Sequence, residues 1–128
     1  MNKNNIVLAL IFIFPLITYF YVSKKDSSTV TVSSTVKPQI IKFSSSLCSE
    51  CQKMDIVIKE VYPKYKSEIE LITIPVDVQN EYNQSMIKKH NVTLVPTIVL
   101  IDKNKYVTKR IVGATDSTTF ENYLREIK

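Results

Sequence analysis

Only two cysteines, Cys48 and Cys51, and one histidine, His90, occur in this 128-residue chain. A structural zinc site normally takes four ligands, so a closed Cys/His zinc site within the chain is poor arithmetic. There is no tryptophan, and no ladder of aromatic and basic residues on which bases could stack, so nucleic-acid binding is not expected. The formal net charge of +5 does not alter this, because it is unevenly placed. Residues 1–37 carry Lys3, Lys24, Lys25 and Lys37 against Asp26, whereas residues 38–128 carry 13 basic and 11 acidic side chains and are nearly balanced. Internal repeats are lacking too. Behind the N-terminal segment about ninety residues remain, enough for one small core and too few for a second domain.

The longest apolar stretch, Ile6–Val22, reads IVLALIFIFPLITYFYV. As a helix it would extend about 26 Å, the short end of what crosses a bilayer. Tyr19 and Tyr21 lie near one end, where amphipathic rings favour the lipid–water boundary, and Lys24 and Lys25 follow. A cleaved signal peptide is the rival, but no small-x-small site stands near Val22–Asp26 and no cysteine is placed for lipid attachment. A single-pass anchor over residues 1–23 is therefore expected, with a Ser/Thr-rich tether over 24–37. Val30, Val32 and Val36 alternate with polar residues there and could add an edge strand. The lysine count weakly favours a cytoplasmic domain. The likeness of the short anchor to those of exported bacterial proteins favours an extracytoplasmic domain at the cell membrane, and that is the expectation adopted.

Within 38–128 the periodicity alternates. QIIKFS (Gln39–Ser44) suits a strand; Cys51–Lys66 carries Met54, Val57, Ile58, Val61 and Tyr65 at helical spacing, with Pro63 kinking or shortening it. ELITIPV (Glu70–Val76) reads as a strand whose Pro75 needs a strand end or a sheet edge. A short helix around Glu81–His90 would turn Tyr82 and Met86 inward. TIVLID (Thr97–Asp102), a turn at Lys103–Lys105 and YVTKRIV (Tyr106–Val112) make a hairpin. A last helix capped near Asp116 or Ser117 would bury Phe120, Tyr123, Leu124 and Ile127. The order β-α-β-α-β-β-α predicts an α/β sandwich around a mixed sheet.

The cysteines stand at the first strand-to-helix junction, in FSSSLCSECQK. Two cysteines placed at random would take this spacing in about 1.5% of cases, so it is not an accident, though spacing alone leaves redox and metal chemistry open. The unpaired N–H groups of a helix start stabilise a thiolate, which makes Cys48 the attacking sulfur and Cys51, one turn further in, the resolving one. The expected chemistry is thiol–disulfide exchange.

Over residues 38–128 the chain resembles the thioredoxin family. IIKFSSSLCSEC stands where the family has strand, Cys-x-x-Cys and helix; PVDVQN resembles its acidic strand end at Asp77; LVPTIVLID resembles the loop with a cis-proline, here Pro96; and Gly113, the only glycine, falls after the last strand. The resemblance implies a thioredoxin-like fold, catalytic Cys48 and Cys51 forming a redox-active disulfide, and no cofactor or bound metal. It also implies a surface for protein substrates formed by Val95, Thr97 and Leu47 around Pro96. Leu47 replaces the family's tryptophan and Ser49-Glu50 its Gly-Pro, so this is not a standard cytosolic thioredoxin. The family's buried acid aligns with Lys42, so the Cys51 proton would leave through water, Glu50 or Lys42, unless Lys42 snorkels to solvent. Glu50 beside Cys48 disfavours the thiolate and inclines the pair towards a reductase, with Lys42 or Lys53 opposing.

Two other functions stay open. Copper delivery through both thiolates would need His90 close to them, although a histidine at a helix end is commonly solvated. A non-catalytic accessory module would have no use for the cysteines. An exported oxidoreductase would depend on a membrane redox partner.

Overall fold

The computed structural model describes residues 36–128 and, ahead of them, Ile13 alone. The anchor expected over 1–23, the tether before Val36 and the alternation at Val30 and Val32 lie outside the described residues. Val36 is exposed and belongs to no strand. Among the described residues, no helix is long and apolar enough to cross a membrane.

The elements run β1 (Gln39–Ser44), α1 (Ser49–Val61), a 3-10 turn (Tyr62–Lys64), β2 (Glu70–Pro75), α2 (Glu81–Lys89), β3 (Thr97–Ile101), β4 (Val107–Val112) and α3 (Ser117–Ile127). This is the order the periodicity predicts. Pro63, which has no N–H to donate, limits α1 to Val61 and passes the chain into the tighter turn. Pro75 closes β2, an edge strand, where the missing donor costs least.

The sheet order is β2-β1-β3-β4. β1 runs parallel to β2, the connection being α1, and antiparallel to β3, which forms a hairpin with β4. Alternation along β1 sorts the core into two layers. Ile40 joins Ile98 and Leu100 beneath Met54, Ile58 and Val61 of α1 and Phe120, Leu124 and Ile127 of α3. On the other face, Ile41 and Phe43 pack with Ile74, Val99 and Ile101, with Met86 and Ile87 of α2 against them. Each large apolar side chain so buried contributes about 1.5–3 kcal/mol. Asp116 caps α3, its carboxylate accepting the Thr119 N–H at 2.9 Å.

One expectation for α2 is corrected. Tyr82 is 56% exposed, and the inward position belongs to Asn83, which is buried. Its amide donates to the carbonyls of Pro75 (3.0 Å) and Val78 (2.8 Å) and so ties α2 to the loop after β2. A satisfied amide can be buried where a phenol has no partner.

Candidate functional site

β1 delivers the chain to a loop, Ser45–Cys48, at its C-terminal end. Cys48 is extended (φ −96°, ψ 114°) and caps α1, its Sγ accepting the Cys51 N–H at 3.1 Å. That contact places a backbone dipole on the sulfur that would carry negative charge. Cys48 is half-buried and Cys51 almost fully buried. They are joined as a disulfide with the Cα atoms 5.1 Å apart. An incoming sulfur therefore meets Cys48, and Cys51 is reached only through it.

The Val95–Pro96 peptide is cis, as the resemblance implies. Cys48 Sγ lies 3.7 Å from the Val95 carbonyl oxygen. The loop is fastened from behind: the Gly113 N–H donates to the Pro96 carbonyl at 2.8 Å. Gly113 has φ +90°, a backbone that side-chain-bearing residues rarely adopt, which explains why the single glycine of the chain stands here. Leu47 is 93% exposed beside Cys48, and Leu94 is exposed on the neighbouring loop. Together they give the sulfur an apolar border.

Thr97, expected on this surface, is instead buried, and its hydroxyl donates to the Leu94 carbonyl at 2.7 Å. Its side chain braces the loop from inside. Glu50 is exposed and paired with Lys53 at 2.6 Å. Lys42 does not snorkel: it is buried on the α1 side of the sheet, and its ammonium bonds the Asp55 carboxylate, one helical turn after Cys51. Sequence reasoning missed Asp55. The available signal was its spacing, since i and i+4 share a helix face and Cys51 is turned inward.

Asp77 has a part that the resemblance located but did not explain. Its carboxylate accepts from the Ser46 hydroxyl (2.7 Å) and the Ser46 N–H (3.0 Å), with the Ser45 hydroxyl at 3.4 Å. These bonds, the Ser46 hydroxyl first, hold its carboxyl below the usual carboxylate range. They also clamp the loop that presents Cys48.

His90 is buried rather than solvated, its ring 5.7 Å from that of Phe43. Phe43 points to the sheet face opposite α1, so His90 and Cys51 lie on different faces. Burial, then Lys89 and Arg110, push its pKa down. The arrangement the copper reading requires is not formed, and among the described residues no group of three His, Cys, Asp or Glu side chains is placed to hold a metal ion.

The family model described as Thioredoxin matches residues 20–126. Thiol-disulfide oxidoreductase ResA of Bacillus anthracis is 30% identical over 110 residues, covering 71% of this chain and 64% of the relative. The chain thus spans less than two thirds of the length of the curated relatives it matches. Among solved structures, thioredoxin O2 from Arabidopsis thaliana in the oxidized state superposes with a TM-score of 0.62 at 24% identity, covering 73% of this chain and 77% of that one. The germline-specific thioredoxin Deadhead of Drosophila melanogaster gives 0.61 at 22% identity, covering 73% and 83%. At these identities the structural likeness speaks for the fold.

Proposed function

The chain belongs to the thioredoxin family, and from that premise we propose that it is a thiol–disulfide oxidoreductase that reduces protein disulfides. The observation that carries this reading is the Cys48–Cys51 pair itself, with Cys48 capping α1 at the surface and Cys51 buried behind it. In the reduced protein the Cys48 thiolate attacks one sulfur of a client disulfide, forming a mixed disulfide and expelling the other client sulfur as a thiolate. Cys51 then gives up its proton and attacks Cys48 Sγ. The Cys48–Cys51 disulfide closes and the second client thiolate leaves. Two electrons pass to the client, and the client thiolates take up two protons from solvent. The Val95 backbone and Leu47 frame the client segment beside Cys48.

The apolar run Ile6–Val22 is proposed as a single-pass anchor, with the domain on the extracytoplasmic side. The oxidised pair is reset there by an external dithiol donor carried by a membrane partner. The name of the ResA relatives supports the activity.

The test is Cys51→Ala in the full chain. Mixed disulfides through Cys48 should accumulate with client proteins and vanish on adding Cys48→Ser. Adducts that persist without Cys48, or none at all, would refute the exchange mechanism.

A further inference from the structure

β1 and β3 give the domain two ends of opposite character. Cys48 follows the C-terminal end of β1. At the other end Gln39 faces Ile101, the chain enters at Val36, and the β3–β4 turn, Asp102–Tyr106, projects. Five residue steps along β1 separate the ends by about 17 Å.

The end bearing Val36 is basic. Two cavities of about 530 and 270 Å³ adjoin there, sharing Val36, Lys37, Gln39 and Lys105 in their walls. Lys66 borders the larger and Lys89 the smaller. All four lysines are exposed, and none is in an ion pair among the described residues. The two acids in these walls are occupied. Glu70 accepts from the Gln39 amide at 2.7 Å, and Asp102 accepts the Asn104 and Tyr106 N–H groups at 2.8 and 2.9 Å. Apolar surface is mixed in: Tyr106 is 71% exposed, Val107 54% and Val36 43%. The cysteine end is its opposite, with Glu50, Asp77, Glu81 and Asp116 set around the loops and helix starts there against Lys53, which Glu50 already holds.

We infer that the basic end is a docking face for an anionic bilayer surface. Lys37, Lys66, Lys89 and Lys105 meet the lipid phosphates, Tyr106 sits at headgroup level, and Cys48 points away from the membrane. The occupant follows from two observations and the proposed tether: unpaired lysines beside an exposed tyrosine and valines, the character of a lipid-interface surface; the charge reversal across the domain; and the chain's entry at this face, where Val36 follows the segment proposed as a tether after the apolar run Ile6–Val22. Screening over about 8 Å at physiological salt is shorter than the separation of the ends, so the acidic end does not cancel the attraction. The inference rests on the proposed tethering for the choice of occupant, while the contact itself is made by the lysines and Tyr106 and is tested apart from the tether.

The chain has no tryptophan, so Tyr106→Trp provides a unique fluorescent reporter at one end and Val78→Trp, beside Asp77, one at the other. The full chain is mixed with vesicles of phosphatidylcholine alone or with an equal share of phosphatidylglycerol, each with and without brominated acyl chains, and floated. The Tyr106→Trp signal should fall about twofold with brominated anionic vesicles and recover in high salt, while the Val78→Trp signal stays level. Lys37→Gln with Lys105→Gln should lower the ratio of docked to free domain about 25-fold, each lysine contributing about fivefold. Flotation on both vesicle types with no quenching of Tyr106→Trp, or with quenching of Val78→Trp, overturns the docking and leaves the tether standing. Flotation on anionic vesicles alone, with that quenching, upholds the docking and removes the tether. Flotation on neither overturns both, and none of these outcomes alters the mixed-disulfide result.

Discussion

Replacing Asp55 by alanine tests the least expected feature of the site, a lysine buried under the first helix. The Lys42 side chain is 10% exposed and that of Asp55 40%, so the pair lies between the surface and buried limits. Breaking a fully buried pair costs about 3–5 kcal/mol, because the remaining charge has no partner. A surface pair is worth about 0.2–1 kcal/mol. With water reaching the carboxylate but scarcely the ammonium, Asp55→Ala should cost about 1.5–3 kcal/mol, and Lys42→Met, which leaves a hydrated carboxylate and an apolar side chain, under about 1 kcal/mol. The midpoint for Asp55→Ala corresponds to a fall in Tm of roughly 10 °C for a domain of this size. The assay is thermal unfolding of the oxidised full chain in mild detergent, followed by circular dichroism, for wild type, both single variants and the double. In the Lys42→Met background, Asp55→Ala should cost less than about 0.5 kcal/mol. An equal cost in both backgrounds would show that Asp55 acts through something other than Lys42 and would refute the reasoning.

Two further outcomes follow from single residues. Gly113→Ala places a side chain on a backbone with φ +90° although nothing lies within 4 Å of its Cβ, so the cost is conformational, about 1–2 kcal/mol; a melt unchanged from wild type would count against it. His90 is buried with its pKa depressed below the ordinary 6.5, so the unfolded chain binds the proton first. Its contribution is fully present above pH 6.5 and is lost as pH falls through the folded value. His90→Leu should therefore flatten the decline of Tm between pH 7 and pH 5, and because Nε2 has no partner among the described residues it should not lower Tm at pH 7. A variant that keeps the wild-type slope would assign the decline to other groups.

What the sequence made legible was local. The helix start at Cys48, the end of α1 before Pro63, the Asp116 cap and the hairpin turn each depend on residues within a few positions of one another, and the periodicity of β1 and α3 names their buried sides without knowledge of what covers them. The resemblance supplied Pro96 and Gly113, whose meeting spans the chain from one loop to another. The positions left open, passed over or misread share a different cause. Lys42, Asn83, His90 and Thr97 are polar yet buried, and a polar residue is buried because of a partner that a linear pattern does not reveal. For Lys42 the partner is Asp55 across the sheet–helix interface, for Asn83 the carbonyls of the loop after β2, for Thr97 the Leu94 carbonyl. His90 lends its carbonyl to Arg110 while its ring packs on Phe43, so its burial follows from aromatic contact.

Magnitudes also bear on the direction of electron flow. A thioredoxin stands near about −270 mV and a strong oxidant near about −120 mV, a gap of about 150 mV or 7 kcal/mol for two electrons. To cross it, the protein would have to stabilise the reduced thiolate by most of that amount. The donors available to Cys48 are the start of α1 and the Cys51 N–H at 3.1 Å, the same helix-cap contribution that any Cys-x-x-Cys at a helix start receives. Lys53, on the first turns of α1, is held by Glu50, and an exposed charge contributes about 0.3–1 kcal/mol, roughly 6–20 mV. Lys42 is neutralised by Asp55. The acids around the cysteine end act in the opposite sense, since negative charge disfavours the thiolate and therefore the dithiol form. Equilibration of the full chain in dithiothreitol buffers should place the Cys48/Cys51 pair at about −270 mV or below; a value near −120 mV would require a source of thiolate stabilisation several times larger than these charges supply.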